Sequence, residues 1–156
     1  MGVQIGIGIS SFEGEIMSLD CIFCKIVAGD MPCVKVFENE TVLSFMDINP
    51  ITRGHALVIP KAHHDPITNV PDELLADVIH GVKKVASAMV KGISADGINV
   101  AQANGKIAGQ EVWHTHFHVI PRYEDDPHDW KNPLRKYNTD NEINEYCEKI
   151  KAVLQG

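Results

Sequence analysis

Three histidines stand at alternate positions in the segment His114-Thr-His116-Phe-His118-Val-Ile-Pro121. An extended chain sends alternate side chains to one side, which aligns three imidazoles on one surface with neighbours roughly 6.5–7 Å apart, while Thr115, Phe117 and Val119 face the other way. With an unperturbed pKa near 6.5, roughly three-quarters of an imidazole is neutral at pH 7, and the neutral ring is a nucleophile suited to phosphorus. Just upstream, Asn104, Gly105, Gly109 and Gln110 form a loop. Its glycines let the main chain approach an anion, successive N–H groups can nest phosphate oxygens, and the amide side chains add neutral donors. Such a loop followed by a histidine row describes a phosphate-handling site. Cys21-x-x-Cys24 has the spacing of two zinc ligands, and equally that of a redox pair or of two small core residues.

These groups need a scaffold. Residues 21–28 read as a brief helix closed by Gly29. Strands are expected over residues 34–38 and 42–46 as a hairpin, over 55–59 after Gly54 and stopped by Pro60, over 98–103 after the Asp96-Gly97 turn, and over 114–120 ended by Pro121. A long helix begins at Pro71, carries Asp72 and Glu73 in its first turn and ends at Gly92. Its stripe of Leu74, Val78, Val82, Val85 and Met89 belongs on the sheet. Residues 141–154 form a final amphipathic helix with Ile143, Cys147, Ile150 and Leu154 on one side. The fold class is α+β: a meandering antiparallel five-stranded sheet, one long helix and a short N-terminal helix.

A chain of 156 residues with 44% hydrophobic and 22% charged residues fits one domain with its own core. Its formal net charge is −7 and no third of it is basic, so an extended polyanion such as nucleic acid is not an expected partner. No apolar run reaches the ~18 residues of a membrane span. Residues 1–16 hold no Lys or Arg, which leaves no positive region for a secretory signal, and four cysteines are too few for a secreted disulfide framework, so the cytoplasm is expected. Val3, Ile5, Ile7 and Ile9 alternate as an edge strand would, while Met17 makes an expression leader equally consistent. The division is an N-terminal extension over 1–16 and one domain over 17–156.

The row His114-x-His116-x-His118 preceded by Gly109-Gln110, together with Asp47-Ile-Asn-Pro50, Gly54-His55 and Ile59-Pro60-Lys61, resembles the histidine triad family of nucleotide hydrolases and transferases, from about Cys21 to Arg122. The cysteine pair leans toward its nucleotide-binding, phosphoramidase-like branch. The resemblance implies a nucleophile at His116 that takes a nucleotidyl group from an α-phosphate, giving a covalent intermediate that water resolves to a nucleoside monophosphate. It implies His118 as the partner contacting phosphate and leaving group, with His55 behind it, and phosphate contacts from Asn104, Gln110 and the Val112 N–H. Asp47 would hold the ribose hydroxyls, and Ile22, Phe23, Ile26 and Phe45 would wall the base pocket. Cys21, Cys24, His63 and His114 would hold a structural zinc ion, with no metal needed for the chemistry. The implied partners are a small-molecule purine nucleotide or nucleotidyl conjugate and a second copy of the chain in a homodimer. Glu111 departs from branches with Ser or Thr there, and is expected to point outward or to assist the leaving group. A dinucleoside polyphosphate hydrolase and a non-catalytic nucleotide-binding module are the alternatives in the same pocket. A metal-storage protein using all three triad histidines on one ion is the alternative of another class.

Overall fold

The computed structural model describes residues 20–156, so the alternating segment 3–9 lies outside the described residues. Along the chain run α1 (Ile22–Ala28), β1 (Lys35–Glu38), β2 (Val42–Met46), β3 (Ala56–Pro60), α2 (Asp72–Gly92), β4 (Gly97–Ala101), β5 (Phe117–Arg122) and α3 (Glu142–Gln155). The five strands form one sheet in the order β1-β2-β3-β5-β4, antiparallel at every pairing. The expected α+β architecture is therefore present. Among the described residues no helix is long and apolar enough to cross a membrane.

Local chemistry sets the element ends. The β1–β2 turn is closed by Asn39, whose Oδ1 accepts the Thr41 N–H at 3.0 Å and the Val42 N–H at 2.7 Å. In α2 the buried stripe is Val78, Val82, Val85 and Met89, joined by Leu75 rather than Leu74. Leu74 and Leu75 stand four and three residues before Val78, on opposite flanks of the stripe, and the core packs against the Leu75 flank.

Both faces of the sheet are covered, and they do different work. Val42, Met46, Ala56, Val58, Phe117 and Val119 face α2 and α3. Leu43, Phe45, Leu57 and Ile59 face α1 with Phe23. His118 pairs across from Leu57 and so shares the α1 face, opposite the two long helices. The strand alternation thus separates a packing face from a chemical face.

The strand bounds differ from the sequence reading by one or two residues at β1, β3 and β4, with Pro60 inside β3 and β4 ending at Ala101, and by more at the start of β5. β5 begins at Phe117, so His114 and His116 precede the strand. Its pairing with β3 stops at Val58↔Phe117, and beyond that point the Thr115 N–H bonds instead to the His64 carbonyl at 2.7 Å. Pro121 lies inside β5, opposite Ile98 of β4. Its carbonyl accepts the Thr52 hydroxyl at 2.5 Å, which turns its own nitrogen away from β4 to a side where β3 no longer runs, so the missing N–H breaks no ladder bond.

Gly92 at the end of α2 lies against α3, where a β-carbon would collide with the Lys149 carbonyl oxygen. Backbone cannot yield as a side chain does. Gly92→Ala is expected to cost about 1–3 kcal/mol of stability, read as a lower urea midpoint at unchanged slope. An unchanged midpoint would show that the two helices can part without cost.

Candidate active site

Backbone groups fix the protons of the buried imidazoles. The Ile51 N–H donates to His55 Nδ1 at 3.1 Å, so that nitrogen carries no proton and the proton of His55 is on Nε2. From there it faces His118 Nδ1 at 3.0 Å, which must accept and leaves the His118 proton on Nε2. His116 Nδ1 lies 2.6 Å from the His114 carbonyl, which can only accept, so its Nε2 keeps a bare lone pair. His116 thereby offers a bare ring nitrogen and its neighbour His118, 5.0 Å away between ring centroids, an N–H donor. His55 owes its place to Gly54, which adopts φ +95° where a β-carbon would also meet Ile93 Cδ1 at 2.6 Å.

Burial keeps these rings neutral. Loss of solvent lowers the pKa of His55 to about 3 and of His118 to about 4, each reinforced by neighbouring histidines. The His116 pKa is lowered by burial too, but its hydrogen bond to the His114 carbonyl and the Asp47 and Asp65 carboxylates oppose the shift. A ring that gains positive charge on bonding to phosphorus is stabilised by the same three groups.

Asp47 follows β2 and is partly buried. Its Oδ1 accepts the Asn49 N–H at 2.8 Å, forming the turn, and its Oδ2 lies 3.6 Å from His55 Nε2. Burial raises its pKa, while the Asn49 N–H and the nearby histidines pull it down. Phe23 stacks edge-on against Phe45 at 5.5 Å and His116 at 5.2 Å, with Ile26 partly buried in the same cluster and Ile22 exposed.

In the loop before the triad, Gly105 adopts φ +85° and a short turn of 3-10 helix, Lys106–Ala108, follows. Both amides named from the sequence are engaged with the protein. Asn104 Oδ1 accepts the Ile67 N–H at 2.8 Å and bonds to Gln102, while Gln110 bonds to Gly105, Asp65 and Val112. The Val112 N–H has no acceptor among the described residues, and Glu111 is exposed.

The first triad histidine belongs to a different cluster. His114 Nε2 donates to the Pro60 carbonyl at 2.8 Å, which frees Nδ1 to face Cys21 Sγ at 3.5 Å and Cys24 Sγ at 3.6 Å. His63 Nδ1 lies 3.3 Å from Cys24 Sγ, and all four donor atoms fall within 4.8 Å of one another. Ligands on a tetrahedral zinc ion hold sulfur and nitrogen about 3.5 Å apart, and a zinc-bound imidazole commonly donates its other N–H to a carbonyl, so the residues fit the ion. With His114 turned to the cysteines and His118 to His55, the three triad histidines do not converge on one point, which removes the metal-storage alternative.

Two residues near the site went unread in the sequence. Trp130 lies edge-on to His118 at 5.6 Å, carried by a segment that Arg122 fastens through Asp126 at 2.8 and 2.7 Å. Asp65 reaches Gln110. The only sequence signals were a tryptophan in a polar, turn-rich stretch and an acid two places after His63.

The HIT domain family profile matches residues 28–125. The chain belongs to the histidine triad (HIT) family. It is 51% identical over 106 residues to an uncharacterized HIT-like protein of Methanocaldococcus jannaschii, covering 68% of this chain and 81% of that protein. It is also 51% identical over 104 residues to the adenosine 5'-monophosphoramidase of Schizosaccharomyces pombe, covering 67% and 75%. Among solved structures, a zinc-bound histidine triad family protein of Mycobacterium smegmatis superposes with a TM-score of 0.78 at 39% identity, over 88% of this chain and 95% of that one.

For this HIT protein the buried neutral histidines set an acid limit. Both pKa values are depressed in the fold relative to about 6.5 unfolded, so the stability these groups contribute is complete above about pH 6.5 and is lost as pH falls toward about 4 for His118 and about 3 for His55. In His55→Asn the amide oxygen can take the Ile51 N–H without titrating. The stability advantage of the unaltered protein over His55→Asn, measured by urea denaturation, should shrink steadily from about pH 6.5 to 4.5. An advantage that grows on acidification would mean that His55 is charged in the fold.

Proposed function

We propose that this chain hydrolyses nucleoside phosphoramidates or nucleotidyl conjugates at the α-phosphate, through a nucleotidyl-histidine intermediate, and releases a nucleoside monophosphate. The observation that carries the reading is the opposed protonation of the His116–His118 pair, one Nε2 bare and the other protonated. The kinship with named nucleotide hydrolases, the Schizosaccharomyces pombe phosphoramidase among them, supports it.

In the first step the His116 Nε2 lone pair attacks phosphorus, forming an N–P bond while the bond to the leaving amine breaks. The amine takes the proton from His118 Nε2, which leaves that ring anionic beside the now cationic His116 ring, a neutral pair overall, and the His55 N–H donated to the vacated ring stabilises it until water returns the proton. In the second step His118 takes a proton from water as its oxygen bonds to phosphorus, and the N–P bond to His116 breaks. Charge on the transferring phosphoryl is met by main-chain N–H groups, the Val112 N–H among them, rather than by lysine or arginine. Asn104 and Gln110 act by bracing that loop. Asp47 would accept the ribose hydroxyls through its carboxylate, and the apolar slot of Ile22, Phe23, Ile26 and Phe45 suits a purine.

Cys21, Cys24, His63 and His114 would hold a structural zinc ion. When bound, zinc supplies a cross-link between the start of α1 and the chain entering β5, and no part of the chemistry. A homodimer and a cytoplasmic location complete the proposal. β4 ends the sheet, carries no charged side chain over Gly97–Ala101, and leaves Val100 about half exposed at 49%, which favours pairing with a second copy.

The decisive experiment is mass spectrometry of protein quenched during turnover of an adenylyl phosphoramidate. A monophosphate adduct on His116 is expected, absent in His116→Ala, with kcat lowered about 10²–10⁴-fold in His118→Gln. No adduct, and unchanged turnover in His116→Ala, would overturn the mechanism; tight monophosphate binding without turnover would favour a binding module. Elemental analysis should find one zinc per chain, lost in Cys24→Ser with His116 chemistry retained. Light scattering should give twice the chain mass.

A further inference from the structure

The segment after β3 lies along the phosphate loop and is tied to it at successive points. The Pro60 carbonyl accepts His114 Nε2 at 2.8 Å and the His64 carbonyl accepts the Thr115 N–H at 2.7 Å. Asp65 Oδ1 then accepts Gln110 Nε2 at 2.6 Å, and the Ile67 N–H reaches Asn104 Oδ1 at 2.8 Å. Three of these four links use backbone, which any residue supplies. The third depends on one carboxylate.

Gln110 is 5% exposed, and every arm of its amide is committed. Nε2 donates to Asp65 and to the Val112 carbonyl at 3.0 Å, while Oε1 accepts the Gly105 N–H at 2.6 Å. Its main-chain N–H bonds to the Gly105 carbonyl at 3.2 Å, so Gln110 closes both ends of the turn. Were the amide reversed, its oxygen would face a carboxylate and a carbonyl, and its NH2 would face the Gly105 N–H. An acceptor that carries full charge makes the reversed orientation most costly. A carboxylate beside an anion site otherwise repels the substrate, so its presence requires a compensating role, and holding Gln110 is that role.

We propose that Asp65 is a positioning residue: its carboxylate orients the Gln110 amide, which sets the curve of residues 105–112 and the aim of their N–H groups. The inference rests on the reading that this loop holds the α-phosphate. Asp65 touches neither phosphate nor nucleophile; besides the through-space pull of its charge on His116, it acts through Gln110. The geometry also explains why a glutamine is needed at 110, since one amide must donate twice on one side and accept on the other.

Hydrogen exchange of the free protein tests the hold on the loop without any substrate. In Asp65→Ala the amides of residues 105–113 should exchange roughly tenfold faster, the loss of a hydrogen bond to a charged group, and in Asp65→Asn, whose amide oxygen still accepts from Gln110, by a smaller factor, while those of α2 stay protected. With the adenylyl phosphoramidate, kcat should fall by a similar factor and KM less, and the His116 adduct should still form, more slowly. The reciprocal pair Asp65→Asn with Gln110→Glu returns a carboxylate to the contact from the other side, so loop protection should recover in part, although Gln110→Glu alone should lose it. Unchanged loop exchange in Asp65→Ala, equal loss of protection throughout the chain, or additive effects in the double variant would each overturn the proposal. Absence of turnover in the unaltered protein would instead sink the hydrolase reading, and with it the chemical purpose of the brace, while the exchange difference would stand.

Discussion

The chemistry of this protein depends on which nitrogen of each buried imidazole carries the proton, and main-chain groups make that choice. The Ile51 N–H, the His114 carbonyl and the Pro60 carbonyl each touch one ring nitrogen, and each contact dictates what the opposite nitrogen can do. A neutral imidazole has one donor and one acceptor, so pinning one end specifies the other. Ile51 makes His55 a donor to His118, the His114 carbonyl leaves His116 Nε2 a bare lone pair, and the Pro60 carbonyl turns the free lone pair of His114 toward the two cysteines. Burial keeps the arrangement stable near neutral pH, because the charged forms that would erase the donor–acceptor distinction are driven below their usual range.

For three backbone groups to act this way they must be stationary, and the sheet supplies that. β5 is held between β3 and β4 with Phe117 and Val119 buried against α2 on one face, so His118 cannot turn without breaking the core on the other. Where the β3 ladder ends, the segment through Asp65 takes over as partner of the chain carrying His114 and His116. His116, the loop and the candidate metal cluster are therefore braced by one stretch of chain. Its cost is local: the Thr115 hydroxyl is buried without a hydrogen-bond partner among the described residues.

The net negative charge of the chain is consistent with this design. An extended polyanion needs a basic surface, but one phosphoryl group can be met by main-chain N–H groups and neutral imidazoles, which demand no lysine or arginine at the site. Neutral donors also suit the proposed reaction, since clustered cations would favour the anion while lowering the basicity of His116.

Residue types and spacing alone determined the chemical inventory: three alternating histidines, a glycine-rich amide loop, a cysteine pair, an acid before an Asn-Pro turn, and strands and helices to carry them. These were legible because periodicity, glycine, proline and caps act within a few residues of themselves. The tertiary structure decided how that inventory is divided. It parted His114 from His116 and His118, gave Gln110 to Asp65, set Leu75 in place of Leu74 on the helix stripe, and brought Trp130 to His118. Each of these turns on a contact between distant segments, such as the Ile51 N–H at His55 or the end of the β3 ladder at Phe117. A proton's position depends on its hydrogen-bond partner, and that partner is set only once the sheet has closed.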